Sequence, residues 1–153
     1  MNKEFEGKYA VVTGGAGGIS YEAAKTLAKK GLSGVVLADL NIEQATESAK
    51  KLEEETGCHC YPCKVDVSNP EDIEHLFEFA LEKMPAVHIL INGAGVCPTT
   101  PIEDLDADKW DWCMNINLRG TQKNRKNVEK WGFPQSYPRY PHPKWEKRGI
   151  TRG

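Results

Sequence analysis

The chain has 153 residues, 39% of them hydrophobic, which is enough for one domain with a real core, although a full doubly wound sheet usually needs more. No apolar run approaches the about 18 residues of a membrane helix, and no signal-peptide stretch opens the sequence, so a soluble, cytoplasmic protein without a membrane partner is expected. The net charge of −2 hides a division: residues 1–121 hold 11 Lys+Arg against 20 Asp+Glu, a net −9, and residues 122–153 hold 9 against 2, a net +7.

Residues 9–13 read as a short apolar strand, and residues 21–30 place Ala23, Ala24, Leu27 and Ala28 on one helical face before Gly31 stops the helix. Between them lies Thr13-Gly14-Gly15-Ala16-Gly17-Gly18-Ile19-Ser20. Residues 34–40 give a second continuous apolar strand, and residues 41–56 a charged helix with Ile42, Ala45, Ala49 and Leu52 inward and Gly57 as terminator. Residues 60–67 read as a third strand, 69–83 as a helix with Pro70 in its first turn, and 88–92 as a fourth strand ending in Gly-Ala-Gly. Strands without alternation are buried on both faces, as in a parallel sheet covered by helices.

Residues 99–108 form an acidic linker, and 107–121 a further helix carrying Trp110, Met114, Ile116 and Leu118, with Trp110, Trp112 and Met114 reading as packing residues. The α/β pattern stops there. Prolines at 134, 138, 141 and 143 forbid a helix interior, so two regions are expected: an α/β domain over 1–121 and a basic, proline-containing irregular tail over 122–153.

The glycine-rich segment carries the first functional signal. Glycines let the backbone turn tightly and approach phosphate oxygens, and the free N–H groups and positive end of the following helix attract them. Its position in the first βα turn predicts a dinucleotide pyrophosphate site in a Rossmann-like, doubly wound parallel α/β sheet, here truncated. Asp39 ends the second strand about 20 residues beyond the glycines, where a carboxylate accepts hydrogen bonds from a ribose 2′-OH and repels a 2′-phosphate. NAD is therefore expected over NADP, with Thr13, Gly14, Gly18, Ile19, Ser20 and Asp39 at the cofactor.

Residues 1–121 resemble the N-terminal half of a short-chain dehydrogenase/reductase (SDR). The family's Thr-Gly-x-x-x-Gly-x-Gly maps onto Thr13, Gly14, Gly18 and Ser20, with serine in place of the last glycine; its Cβ and hydroxyl are expected to crowd the helix–strand approach. The resemblance places Asp66 and Val67 beside the adenine and matches the Asn-Asn-Ala-Gly motif to Asn92, Gly93, Ala94 and Gly95, the second asparagine missing. Asn117 matches the helix asparagine that, in the family, supports the active-site lysine through a water. The implied activity is hydride transfer between NAD(H) and an alcohol or carbonyl substrate.

The family completes its site with a serine after the fifth strand and a Tyr-x-x-x-Lys helix. Tyr140 and Lys144 have that spacing, but Pro141 and Pro143 remove the helix that would put both on one face, so this chain is expected to be inactive. The tail itself reads as the product of a reading-frame shift: synonymous codon choices let residues 139–153 re-read as a serine-containing segment like the family's catalytic one. The alternative reading is a non-catalytic dinucleotide-binding or dimerising protein. A nucleic-acid role for the +7 tail is not expected, since its cations are scattered among prolines with no folded reader.

Cys58, His59, Cys60 and Cys63 offer metal-ligand chemistry, but they lie along one strand without a second cysteine pair; core thiols and no metal are expected. The odd total of five cysteines also speaks against a disulfide framework. His88 reads as structural. Homo-oligomerisation is open, and without the family's last interface helix an uncovered sheet edge and exposed apolar helix faces are expected.

Overall fold

The computed structural model describes residues 3–124. The proline-rich region, Tyr140 and Lys144 lie outside the described residues.

Four strands, β1 (Tyr9–Thr13), β2 (Gly34–Asp39), β3 (His59–Lys64) and β4 (Ile89–Asn92), form one parallel sheet in the order β3-β2-β1-β4. Helices α1 (Gly18–Lys29), α2 (Ile42–Thr56) and α3 (Pro70–Lys83) follow β1, β2 and β3 in turn. Register runs Val11↔Val36 and Val12↔Leu37 between β1 and β2, and Val11↔Leu90 and Val12↔Ile91 between β1 and β4. Because β4 lies beside β1 rather than β3, the strand order reverses at β1, and the crevice for a ligand opens at the carboxyl ends of β1 and β4.

The continuous apolar runs are explained by two cores. Ala10, Val12, Val35 and Leu37 face one side with Ala24, Ala28, Ala49 and Leu52 of α1 and α2; Val11, Val36 and Ala38 face the other with Ile73, Leu76, Phe77 and Ala80 of α3. Each strand of the inner pair thus alternates between two apolar environments, and polar alternation would cost burial on both faces. Small residues on α1 let that helix sit close to the sheet, and Lys25 reaches across to Glu55 of α2 at 2.5 Å.

Local chemistry sets the boundaries. The Asn41 side chain accepts from the Gln44 N–H at 3.1 Å to start α2, and Gly57 ends it in the left-handed region at φ 73°. Asn69 caps α3, and Pro70 follows where its missing N–H costs nothing.

Several elements depart from the sequence reading. Helix α1 begins at Gly18 rather than residue 21, because the glycine turn itself winds into the helix. The third strand stops at Lys64, and Val65, Asp66 and Val67 form a loop at the sheet's carboxyl end. It is also an edge strand: Tyr61, Pro62 and Cys63 are half-buried, which fits a proline that cannot donate to a second neighbour. The last predicted helix is two pieces, α4 (Ala107–Met114) and a wider π-turn (Asn115–Gly120). Trp110 and Trp112 are half-exposed rather than packed, and Leu118 is exposed. That leaves α4 with an apolar outer face among the described residues.

Candidate functional site

A groove of about 420 Å³ crosses the carboxyl ends of the strands, lined by the glycine turn, Asp39 and Leu40, Gln44, Val65 to Val67, and Gly93 to Val96. Its floor is backbone. Gly14, at φ 65°, packs so closely on the turn after β4 that a Cβ there would lie 2.7 Å from the Gly93 carbonyl and 2.8 Å from the Ala94 nitrogen. Gly17 would place a Cβ 3.1 Å from Gln44, and Gly18 stands at φ 59°. The turn is therefore glycine for conformation at two positions and for close approach at Gly14.

Thr13 is the buried hub beneath it. Its Oγ1 accepts from the N–H of Gly93 at 3.3 Å and of Ala94 at 3.4 Å, while its carbonyl accepts the Gly93 N–H at 3.1 Å. One threonine thus ties the turns after β1 and β4 together.

Asp39 faces the groove and holds the glycine turn as well. Its Oδ2 accepts from the Ala16 N–H and its Oδ1 from the Asn41 N–H, both at 3.1 Å. Each carboxylate oxygen has a second lone pair, so acceptor capacity remains for a ligand hydroxyl. Ser48 on α2 donates its hydroxyl to the Ala16 carbonyl at 2.6 Å, so the two peptide groups flanking Ala16 are each held by a side chain. Sequence reasoning missed Gln44 and Ser48. They are four residues apart on the face of α2 that meets the turn, a spacing visible in the sequence only once that face is known.

Asp66 and Val67 close the far wall. The Asp66 carboxylate accepts from both the N–H (2.9 Å) and the hydroxyl (2.6 Å) of Ser68, and its own N–H donates to Asp72 at 2.9 Å. Asn117, in the π-turn, accepts the Val96 N–H and donates to the Val96 carbonyl, both at 2.8 Å, which pins the loop leaving β4. Asn92 accepts from the buried Asn124 amide at 2.8 Å. Gly14, Gly18, Asp39, Asp66, Val67, Ala94 and Gly95 line one groove; Thr13 and Ser20 are buried behind it, and Ile19 projects into solvent at its rim, 91% exposed.

Cys58, Cys60 and Cys63 do not line the groove. Cys58 and Cys60 are buried free thiols, and Cys60 donates to the Cys58 carbonyl. Burial pushes the Cys63 thiol up to about 11. No helix among the described residues is long and apolar enough to cross a membrane.

This combination of parallel sheet, switch-point crevice and glycine turn is matched by known proteins. The family model for short chain dehydrogenases matches residues 8–129. The chain belongs to the short-chain dehydrogenase family. It is 35% identical over 119 residues to the uncharacterized oxidoreductase YuxG of Bacillus subtilis, covering 77% of this chain and 17% of that protein. It is also 35% identical over 127 residues to 3beta-hydroxysteroid dehydrogenase 2 of Eggerthella lenta, covering 80% and 48%. Among solved structures, a short-chain dehydrogenase/reductase from Burkholderia phymatum in complex with NAD superposes with a TM-score of 0.80 at 30% identity, covering 86% of this chain and 46% of that one. L-sorbose reductase from Gluconobacter frateurii, complexed with NADPH and L-sorbose, gives 0.77 at 26% identity, covering 84% and 48%. This short-chain dehydrogenase chain spans half or less of the length of these relatives. Of these two solved structures, one holds NAD and the other NADPH.

Proposed function

We propose that the groove binds NAD(H) in preference to NADP(H), and that the chain supplies the dinucleotide-binding half of an oxidoreductase acting on a small alcohol or carbonyl substrate. The observation that carries this reading is Asp39: a carboxylate faces the groove, and among the described residues none that lines it is Lys or Arg. A 2′-phosphate there would meet negative charge without a counter-cation, whereas a 2′-OH can donate to a free lone pair.

The residues present fit such a group. The backbone N–H groups at Gly17 and Gly18 and the start of α1 suit the pyrophosphate, because a Cβ-free turn lets its oxygens reach them. Asp39 takes the ribose hydroxyl, Asp66 and Val67 flank the adenine, and Ala94 and Gly95 carry the groove onward, while Asn92 does not line it and its side chain accepts from Asn124; Ile19 and Leu40, both exposed and apolar, gain cover from flat rings. Bound NAD(H) would supply the hydride donor or acceptor. Asn117 holds the loop that forms the nicotinamide end through Val96.

For the 153-residue chain alone we propose binding without turnover, since by sequence a helix through Tyr140 and Lys144 is not expected with Pro141 and Pro143 between them. In that state it is functionally a non-catalytic dinucleotide-binding protein. Titration calorimetry with NADH, NAD⁺ and NADPH tests the binding: NADH should bind, with NADPH weaker by about tenfold or more. Absence of heat with both oxidation states would overturn the reading. Turnover on a panel of alcohols and ketones that is lost in Tyr140→Phe would overturn the inactivity alone.

A further inference from the structure

Gly93 follows β4 and has no left-handed backbone requirement, since its φ lies outside the positive region where Gly14 and Gly18 stand. Its lack of a side chain therefore has a steric cause. A Cβ built there would run into the Ser20 hydroxyl oxygen, and would lie 2.9 Å from the Ser20 Cβ and 2.8 Å from the Thr13 carbonyl. Real Cβ atoms essentially never come within 3.0 Å of another heavy atom. Ser20, only 7% exposed in the first turns of α1, thus occupies the volume a side chain at 93 would need.

The consequence reaches the groove. Gly93 and Ala94 line it, and their peptide is the one that a Cβ on Gly14 would meet at 2.7–2.8 Å. Ser20 itself does not line the groove, so it acts through Gly93. The volume that the Ser20 side chain takes is volume that residue 93, with no Cβ, does not use.

We infer that Ser20 and Gly93 are one reciprocal packing unit: the hydroxymethyl group of Ser20 sets how closely the turn after β4 seats on the glycine turn, which makes Ser20 a positioning residue for the dinucleotide groove. The ligand part of this inference rests on the NAD(H) reading; the packing part does not. A side chain at 93 must push the β4 turn away from α1 while Ser20 is present, and Gly14 leaves no slack on the other side. Removing the Ser20 side chain takes away two of the three obstructing atoms, leaving the Thr13 carbonyl.

A double-mutant cycle over the parent chain, Gly93→Ala, Ser20→Gly and the double variant tests it, with urea midpoint and NADH dissociation constant as readouts. Gly93→Ala should weaken NADH binding by about tenfold or more in the parent, whereas in the Ser20→Gly background, where only the Thr13 carbonyl still obstructs the new Cβ, the loss should be smaller by about threefold or more. The urea midpoints should show the same non-additivity. Equal losses in both backgrounds would overturn the inference. If Gly93→Ala fails to fold, recovery of folding in the double variant supports the unit, and a double variant that also fails to fold overturns it. Should none of the four proteins bind NADH while the midpoints remain non-additive, the packing unit stands and the NAD(H) reading falls.

Discussion

Gly14 carries two requirements at once, a positive φ of 65° and contact with the backbone of Gly93 and Ala94. Gly14→Ala meets both penalties, since left-handed backbone costs a residue with a Cβ roughly 1–2 kcal/mol and the blocking atoms are main chain that cannot rotate away. We expect a loss of roughly 2–4 kcal/mol in urea unfolding together with loss of dinucleotide binding; a variant as stable as the parent would show that the turn relaxes freely. Asp39 has a mixed role. Asp39→Ala orphans the N–H groups of Ala16 and Asn41 as well as removing the acceptor for a ribose hydroxyl. It should destabilise by roughly 1–3 kcal/mol and weaken NADH binding by about tenfold or more, as expected when hydrogen bonds accepted by a carboxylate are lost. An affinity change without any stability change would mean that the Ala16 contact contributes nothing.

At the scale of elements, β1 and β4 are joined by a side chain as well as by their ladder. His88 accepts the Tyr9 N–H on Nδ1 at 3.2 Å and stacks on the Tyr9 ring with centroids 5.8 Å apart. Burial holds its pKa below the ordinary imidazole value, and the Lys8 charge adds to the effect. The unfolded chain takes up a proton near pH 6.5, whereas the native one does so at lower pH. Between those values the unfolded state binds more protons, so this contribution is intact above about pH 6.5 and is lost as pH falls through the native pKa. The Tm of the parent should therefore drop more between about pH 7 and pH 5 than that of His88→Asn, whose amide cannot titrate. Parallel profiles would remove the assignment. The π-turn is the second informative element: its widened backbone places Asn117 opposite Val96, and Gly120, whose Cβ would lie 3.0 Å from the Val67 carbonyl, lets it pack on the loop after β3.

Across the whole molecule, stability rests on two apolar layers that sandwich the sheet, and the outer face of α4 adds little to them. Phe77, 1% exposed in the layer under α3, should cost about 3–5 kcal/mol when changed to Ala. Trp110→Ser, at a half-exposed position, should cost less than about 1 kcal/mol by the same chemical denaturation. A Trp110→Ser penalty as large as that of Phe77→Ala would restore the packing role that the sequence periodicity had implied. Similar pattern at the two positions, different burial: the difference is which helix finds a partner surface among the described residues.

The sequence alone determined the order and type of the first seven elements, because buried parallel strands and amphipathic helices impose local periodicities, and Gly14, Gly18, Gly57 and Pro70 mark turns whose backbone demands are local. It also set Asp39 about one βα unit beyond the glycine turn, whereas Asp66 and Gly95 were expected only from the family resemblance. What waited for the tertiary structure was every relation between distant segments. Ser48 clamps a turn 32 residues away, β3 is an edge rather than a buried strand, Trp110 faces outward, and Ser20 fits because Gly93 gives it room. Such facts depend on which surfaces meet in space, and a one-dimensional pattern records the surface a residue offers but not the one it encounters.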